Sequence, residues 1–111
     1  MQMNNKIPQS VYKLVVAEVG DYERKKRLLE EGKLPRESII VYTKSVCAIE
    51  SALLSVCYSE CREAREALRS DIALGRGFKN GAAKRYYTSY ATYVRRKRQA
   101  VEVIARSLGL I

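Results

Sequence analysis

Between Pro35 and Gly75 the chain contains neither glycine nor proline, and within that stretch Ile39, Tyr42, Val46, Ile49, Leu53 and Val56 recur at steps of three and four. That spacing lines one side of an α-helix, which turns by about 100° per residue. Cys57, Cys61, Ala64 and Leu68 continue the stripe after a shift of one residue. One helix of about 35 residues is long for a small domain unless it dimerises. The stripe is therefore expected to divide near residues 55–59, into helices near 36–55 and 59–73. Ser59, followed by Glu60, Glu63 and Glu66, has the character of an N-cap with acids in the first turns.

The flanking segments read in the same period. Val11, Leu14, Val15, Val19, Tyr22, Leu28 and Leu29 follow Pro8 at helical spacing, giving a helix near 9–31 that Gly20 and Asp21 can interrupt. Gly32 suits the residue after a helix, and Pro35 the first turn of the next. Three glycines and Asn80 between residues 75 and 81 make a connecting loop, followed by a short turn at 82–87. Ser89 then has N-cap character, with its hydroxyl placed to accept an amide one turn on, and a last helix is expected near 89–108, stopped by Gly109. No strand alternation occurs. The expected architecture is all-α, a single domain of four to five helices: a scaffold over 1–74 and a basic segment over 75–111.

Several function classes are excluded by what the chain lacks. It has no histidine, which removes histidine-assisted nucleophilic catalysis and histidine-containing zinc sites. Neither glycine-rich nucleotide motif is present. No carboxylate pair near a glycine loop or cysteine suggests a reaction site, so no enzyme, cofactor or metal is expected. Cys47, Cys57 and Cys61 are odd in number and would share one face of a continuous helix, which reads as small buried apolar residues. Residues 1–10 lack the apolar core of a signal peptide, and no uninterrupted apolar run approaches the ~18–20 residues of a membrane span. A soluble, cytoplasmic chain without membrane contact is expected.

The net charge of +9 is unevenly placed. Residues 1–71 net +1, whereas residues 72–111 hold nine basic side chains and a single acid, Glu102. Such asymmetry suggests a polyanion-binding segment on a neutral scaffold. With Val94 as the centre of the buried side of the last helix, Val101, Ile104, Ala105 and Leu108 fall beside it. Thr92, Arg95, Arg96 and Gln99 then point away, at about 100–200° round. Arg pairs with guanine edges and Gln with adenine edges, while hydroxyls and helix N-terminal amides hold phosphates. A run of cations on a helix can also be only a solvated face. Here carboxylates at i±4 that would neutralise such a run are missing. Tyr86, Tyr87, Tyr90 and Tyr93 can equally be core rings with surface hydroxyls.

Residues 87–111 resemble the C-terminus of small phage transcriptional regulators of the ArpU/RinA kind, whose helix-turn-helix is similar to region 4 of sigma factors. Ser89, Thr92, Tyr93, Arg95 and Arg96 match the pattern Ser-x-x-Thr-aromatic-x-Arg-Arg, and Leu108, Gly109 and Leu110 match its end. More loosely, Asp21 and Tyr22 before a basic run, and the stripe Tyr42, Ala48, Ile49, Glu50 and Leu53, look like the upstream helices. The family's longer first motif helix corresponds here to the glycine-rich loop plus 82–87, or its place is taken by 59–73. The resemblance implies a DNA-binding regulator that acts beside RNA polymerase. On this reading Arg95, Arg96, Thr92 and Gln99 face base edges of duplex DNA. Ser89, Tyr93, Lys84, Arg85, Lys97 and Arg98 contact phosphates, and residues 36–70 offer a homodimer surface. A phage assembly or packaging adaptor and an RNA-binding helical module are the alternatives.

Overall fold

The computed structural model describes residues 7–111. Five α-helices run in the order α1 (Gln9–Gly20), α2 (Tyr22–Glu31), α3 (Arg36–Val56), α4 (Arg62–Leu74) and α5 (Tyr90–Ser107), with a 3-10 helix at Ala82–Tyr86 between α4 and α5. The described residues contain no strand. α1 packs on α4 and α5, α2 on α3, α3 on α5, and the 3-10 helix on α4. One apolar core joins them, with Val15 and Val19 of α1, Ile49 and Leu53 of α3, Leu68 and Ile72 of α4, and Val101 and Ile104 of α5.

The first helical segment does divide at Asp21, whose amide still bonds the carbonyls of Ala17 and Glu18 before α2 begins. The bend lets Tyr22 and Lys25 turn inward. The buried Lys25 ammonium donates to Glu18 (2.9 Å) and to the Ser45 hydroxyl (3.4 Å), which satisfies a charge that burial would otherwise make costly. The long stripe also divides, over residues 57–61. Ser59 does not cap the following helix, as the sequence suggests. Cys61 occupies that position without a side-chain cap bond, and the Ser59 hydroxyl donates to Glu60 instead.

This break also corrects the reading of the cysteines. Only Cys57 is buried, whereas Cys47 and Cys61 are exposed. The shared helical face does not survive because residues 57–61 are not helical. On α3 the inward side is Ser45, Val46, Ala48, Ile49, Ala52 and Leu53, which leaves Cys47 outside. The N-terminal half of α3 is less covered than the stripe implies: Ile39, Ile40 and Val41 are all exposed. The side-chain bonds from α2 reach α3 at Tyr42, Ser45 and Glu50, all beyond these three residues. α3 is also long and apolar enough to cross a membrane by length and composition, with a mean hydropathy of 1.6 in its most apolar window. Lys44 and Glu50 interrupt that window, so it is not an uninterrupted apolar run.

Helix α5 is rotated relative to the sequence reading. Its buried residues are Tyr93, Ala100, Val101, Ile104 and Ala105, a side centred about 60° from Val94. Tyr93 and Ala100 pull the centre round, and Lys97 then falls in the middle of the buried side. Beyond Ser107, Gly109 stops the helix and Leu110 returns its amide to Ala105 (2.8 Å), packing on the core. Ile111 stays exposed.

Asp71, near the end of α4, is fully buried and receives the chain returning from the loop. Its carboxylate accepts the amides of Ala82 (2.7 Å) and Ala83 (3.0 Å), capping the 3-10 helix, and the hydroxyl of Tyr93 from α5 (3.0 Å). The approach is so close that a Cβ at Gly81 would overlap the Asp71 carboxylate and stand 2.5 Å from the Gly77 carbonyl. Gly81→Ala should therefore destabilise the fold by about 1–3 kcal/mol. Gly77→Ala, where a Cβ meets nothing within 4 Å, should stay within about 0.5 kcal/mol of the parent. Urea unfolding of the two variants measures the difference, and equal losses would contradict this account of the Asp71 contact.

Candidate nucleic-acid interface

Three anchors shape the surface made by residues 75–99. The Asp71 carboxylate holds the 3-10 helix, which leaves Lys84 and Arg85 exposed on its outer side. The Phe78 ring ties the loop to α5: it lies 5.2 Å from the Tyr93 ring and 6.0 Å, edge-on, from Tyr90. This keeps Arg76 and Lys79 close to the start of α5. The third anchor is the Ser89 hydroxyl, which accepts the Thr92 amide at 3.0 Å and fixes where α5 begins.

On α5 the exposed line is Ala91, Arg95 and Gln99, at steps of four, with Thr92 half-buried beside it. Arg95 and Gln99 lie about 160° from the centre of the buried side, which accounts for their exposure. Arg98 is half-buried on the flank. Of the nine basic side chains in residues 72–111, two are in ion pairs: Arg96 with Glu60 and Arg106 with Glu102. The other seven, Arg76, Lys79, Lys84, Arg85, Arg95, Lys97 and Arg98, have no carboxylate partner among the described residues.

Three residues expected at the nucleic acid are placed otherwise. Tyr93, assigned to a phosphate, is 1% exposed; its ring packs on Phe78 and Tyr87 and its hydroxyl is given to Asp71. Burial first, and then that hydrogen bond, push its pKa up. Lys97, also assigned to a phosphate, lies along the buried side and donates to the Arg76 carbonyl (2.5 Å); burial lowers its pKa. Arg96, assigned to a base edge, is turned toward the break between α3 and α4. There its guanidinium meets Glu60 at 3.3 Å, and its Nε is buried with no hydrogen-bond partner. The three share one cause, the rotation of α5 about its axis.

Two neighbours of this surface gave little signal in the sequence. Glu60 reads there as a first-turn acid, yet it is the carboxylate that engages Arg96 and also accepts the Tyr87 hydroxyl at 3.3 Å. Tyr58, at 78% exposed, sits in the interhelical break and lines one shallow groove with Arg96, Gln99 and Arg106. Its only signal was its place in the region where the helical stripe slips by one residue.

No three His, Cys, Asp or Glu side chains converge on a metal position among the described residues. Cys57 lies 3.7 Å from the Tyr87 hydroxyl, and burial pushes its thiol up to about 11, so it stays protonated near neutral pH. No protein-family model matches the chain, and no curated protein or solved structure matches it.

Burial works to raise the pKa of Glu60, but hydrogen bonds from Ser59 and Cys57 and the charge of Arg96 outweigh it and hold the carboxyl below its usual range. A carboxyl lowered by folding adds stability that is present above its unfolded value and is lost as pH falls through the folded value. Glu60→Gln should flatten that part of the acid limb, measured as urea midpoints at a series of acidic pH values. An acid limb identical to the parent's would contradict the ion pair. Ser89→Ala should cost about 1 kcal/mol through loss of the α5 cap, read from the same midpoints, and an unchanged midpoint would contradict the cap.

Proposed function

We propose that the protein binds duplex DNA, with the outer side of α5 and the 3-10 helix as its contact surface, and that it acts as a transcriptional regulator. The observation that carries the reading is the set of unpaired cations on a segment, residues 75–98, that contains no acid. Surface cations in a folded protein are commonly offset by nearby carboxylates. Six of the unpaired cations, leaving out Lys97 on the packed side of α5, make a strongly positive field suited to a phosphate backbone.

On this reading Lys84, Arg85, Arg76, Lys79 and Arg98 meet phosphates, with Ser89 at the helix start. Arg95, Thr92 and Gln99 meet base edges. Arg96 is held by Glu60 and is assigned a supporting role, and Tyr58 beside Gln99 offers a ring for contact. Helix α5 serves as the reading helix of a helix-turn-helix variant in which the 3-10 helix, pinned by Asp71, stands where a longer supporting helix is usual. The connection from α4 to α5 spans residues 75–89, too long for the tight turn of an ordinary motif. The regulatory assignment rests on the resemblance of residues 87–111 to small phage regulators. RNA polymerase and a second copy of the chain are its proposed partners. Exposed Ile39, Ile40 and Val41 on α3 support a self-contact within the 36–70 region.

Fluorescence anisotropy of a labelled random duplex at several salt concentrations tests the proposal. With about five phosphate contacts, log K should fall by roughly 4–5 per tenfold rise in salt. The double variant Lys84→Ala, Arg85→Ala should reduce that slope by about 2. Arg95→Ala should cost about 1–3 kcal/mol on a preferred site and less on random duplex. Absent or salt-independent binding would overturn the reading. Preferential competition by structured RNA over duplex DNA would replace it with the RNA-binding alternative.

A further inference from the structure

The inner flank of α5 borders a cavity of about 360 Å³, a size at the small end of ligand sites. Its walls include Tyr12 of α1, Phe78 of the 75–81 loop, and Tyr90, Tyr93, Lys97 and Arg98 of α5. The rings are held from different directions. Tyr93 is fixed through its hydroxyl on Asp71, and Phe78 is tilted against it at 57° while meeting Tyr90 edge-on. Tyr93 belongs to the packed core, Tyr12 and Phe78 pack against it, and Tyr90 stands largely exposed at the open side.

Two cations are set into this wall. The Lys97 ammonium stands 5.8 Å from the Tyr93 ring and uses the Arg76 carbonyl as its one hydrogen-bond acceptor among the described residues. An ammonium has three donors, so its hydrogen-bonding capacity is far from filled. The depressed pKa of Lys97 reflects the cost of keeping its charge in this half-buried place. Arg98 also has no carboxylate partner among the described residues. Glu102, the acid on the wall, is already bonded by Arg106 at 2.7 Å. Ring faces beside two unsatisfied cations match a molecule with a flat apolar body and one negative end.

We propose that this cavity binds a small aromatic carboxylate, with its ring among Phe78, Tyr90 and Tyr93 and its carboxylate on Lys97 and Arg98. The site shares Arg98 with the proposed nucleic-acid surface but is otherwise separate from it, because Arg95 and Gln99 lie on the opposite side of α5 and no nucleic acid is needed to fill it. A purely inorganic anion would leave the rings unused, and a neutral ring would leave the cations unpaired.

The test is an NMR titration of the full chain, without nucleic acid, using phenylacetate, 3-phenylpropionate and the neutral phenylacetamide. The expected result is saturable shifts at Phe78, Tyr90 and Lys97 with at least one of the two carboxylates, and about tenfold weaker binding of the amide. Lys97→Met, which keeps the length of the stem, should erase the preference for carboxylate over amide. Arg98→Gln, on the flank of the helix, should weaken carboxylate binding by about threefold or more, and it keeps the test informative if Lys97→Met fails to fold. No saturable shift with either carboxylate, or equal binding of phenylacetate and its amide, would overturn the proposal. Shifts at these residues that depend on protein concentration alone would mean that a second copy fills the cavity, and would overturn it as well.

Discussion

The buried carboxylate of Asp71 joins three parts of the chain that also share the apolar core. It belongs to α4, caps the 3-10 helix through two amides and receives the Tyr93 hydroxyl of α5. A carboxylate without water must be met by donors, and losing one donor leaves a cost of several kcal/mol in a buried site. Its three partners come from two separate elements, so the basic segment is arranged around a single acceptor group. The glycine at 81 follows from the same constraint, since the capping amides reach Asp71 only where no side chain intervenes.

This arrangement divides the C-terminal cations into two populations. The outward ones on α5 and the 3-10 helix project from backbone that Asp71 and Ser89 hold still. Arg96 and Lys97 lie on or near the packed side, where one meets Glu60 and the other the Arg76 carbonyl. The sequence run at 95–98 looks uniform, but a helix distributes four consecutive residues around its whole circumference. One side therefore carries a charge suited to a polyanion, and the other carries a charge inside an aromatic cavity.

Much of the fold was legible in the residues themselves. The steps of three and four set the helices, Gly32 and Gly109 marked their ends, and Ser89 capped α5 as its hydroxyl chemistry suggests. Arg95 and Gln99 are exposed, and Thr92 half-exposed beside them, because their angular positions tolerate an error of about 60° in the helix face. Tyr93 and Lys97 tolerate no such error, and periodicity alone could not tell a core tyrosine from a surface one. Asp71 was visible only as the last acid before a basic stretch, since its partners are backbone amides that carry no sequence signature. Cys61 was misplaced for a related reason: an angular argument holds only along an unbroken helix, and the break at 57–61 ends it.

On the proposed reading, the outward side of α5 and the 3-10 helix, and not the inner side, meets duplex DNA. Backbone amide shifts of the isotope-labelled chain, followed while a duplex is added, test it most directly. The expected changes concentrate at Lys84, Arg85, Ala91, Arg95 and Gln99, with Ile104, Leu68 and the α2 helix undisturbed. Changes centred on α2 or on the first turns of α3, with α5 silent, would contradict it.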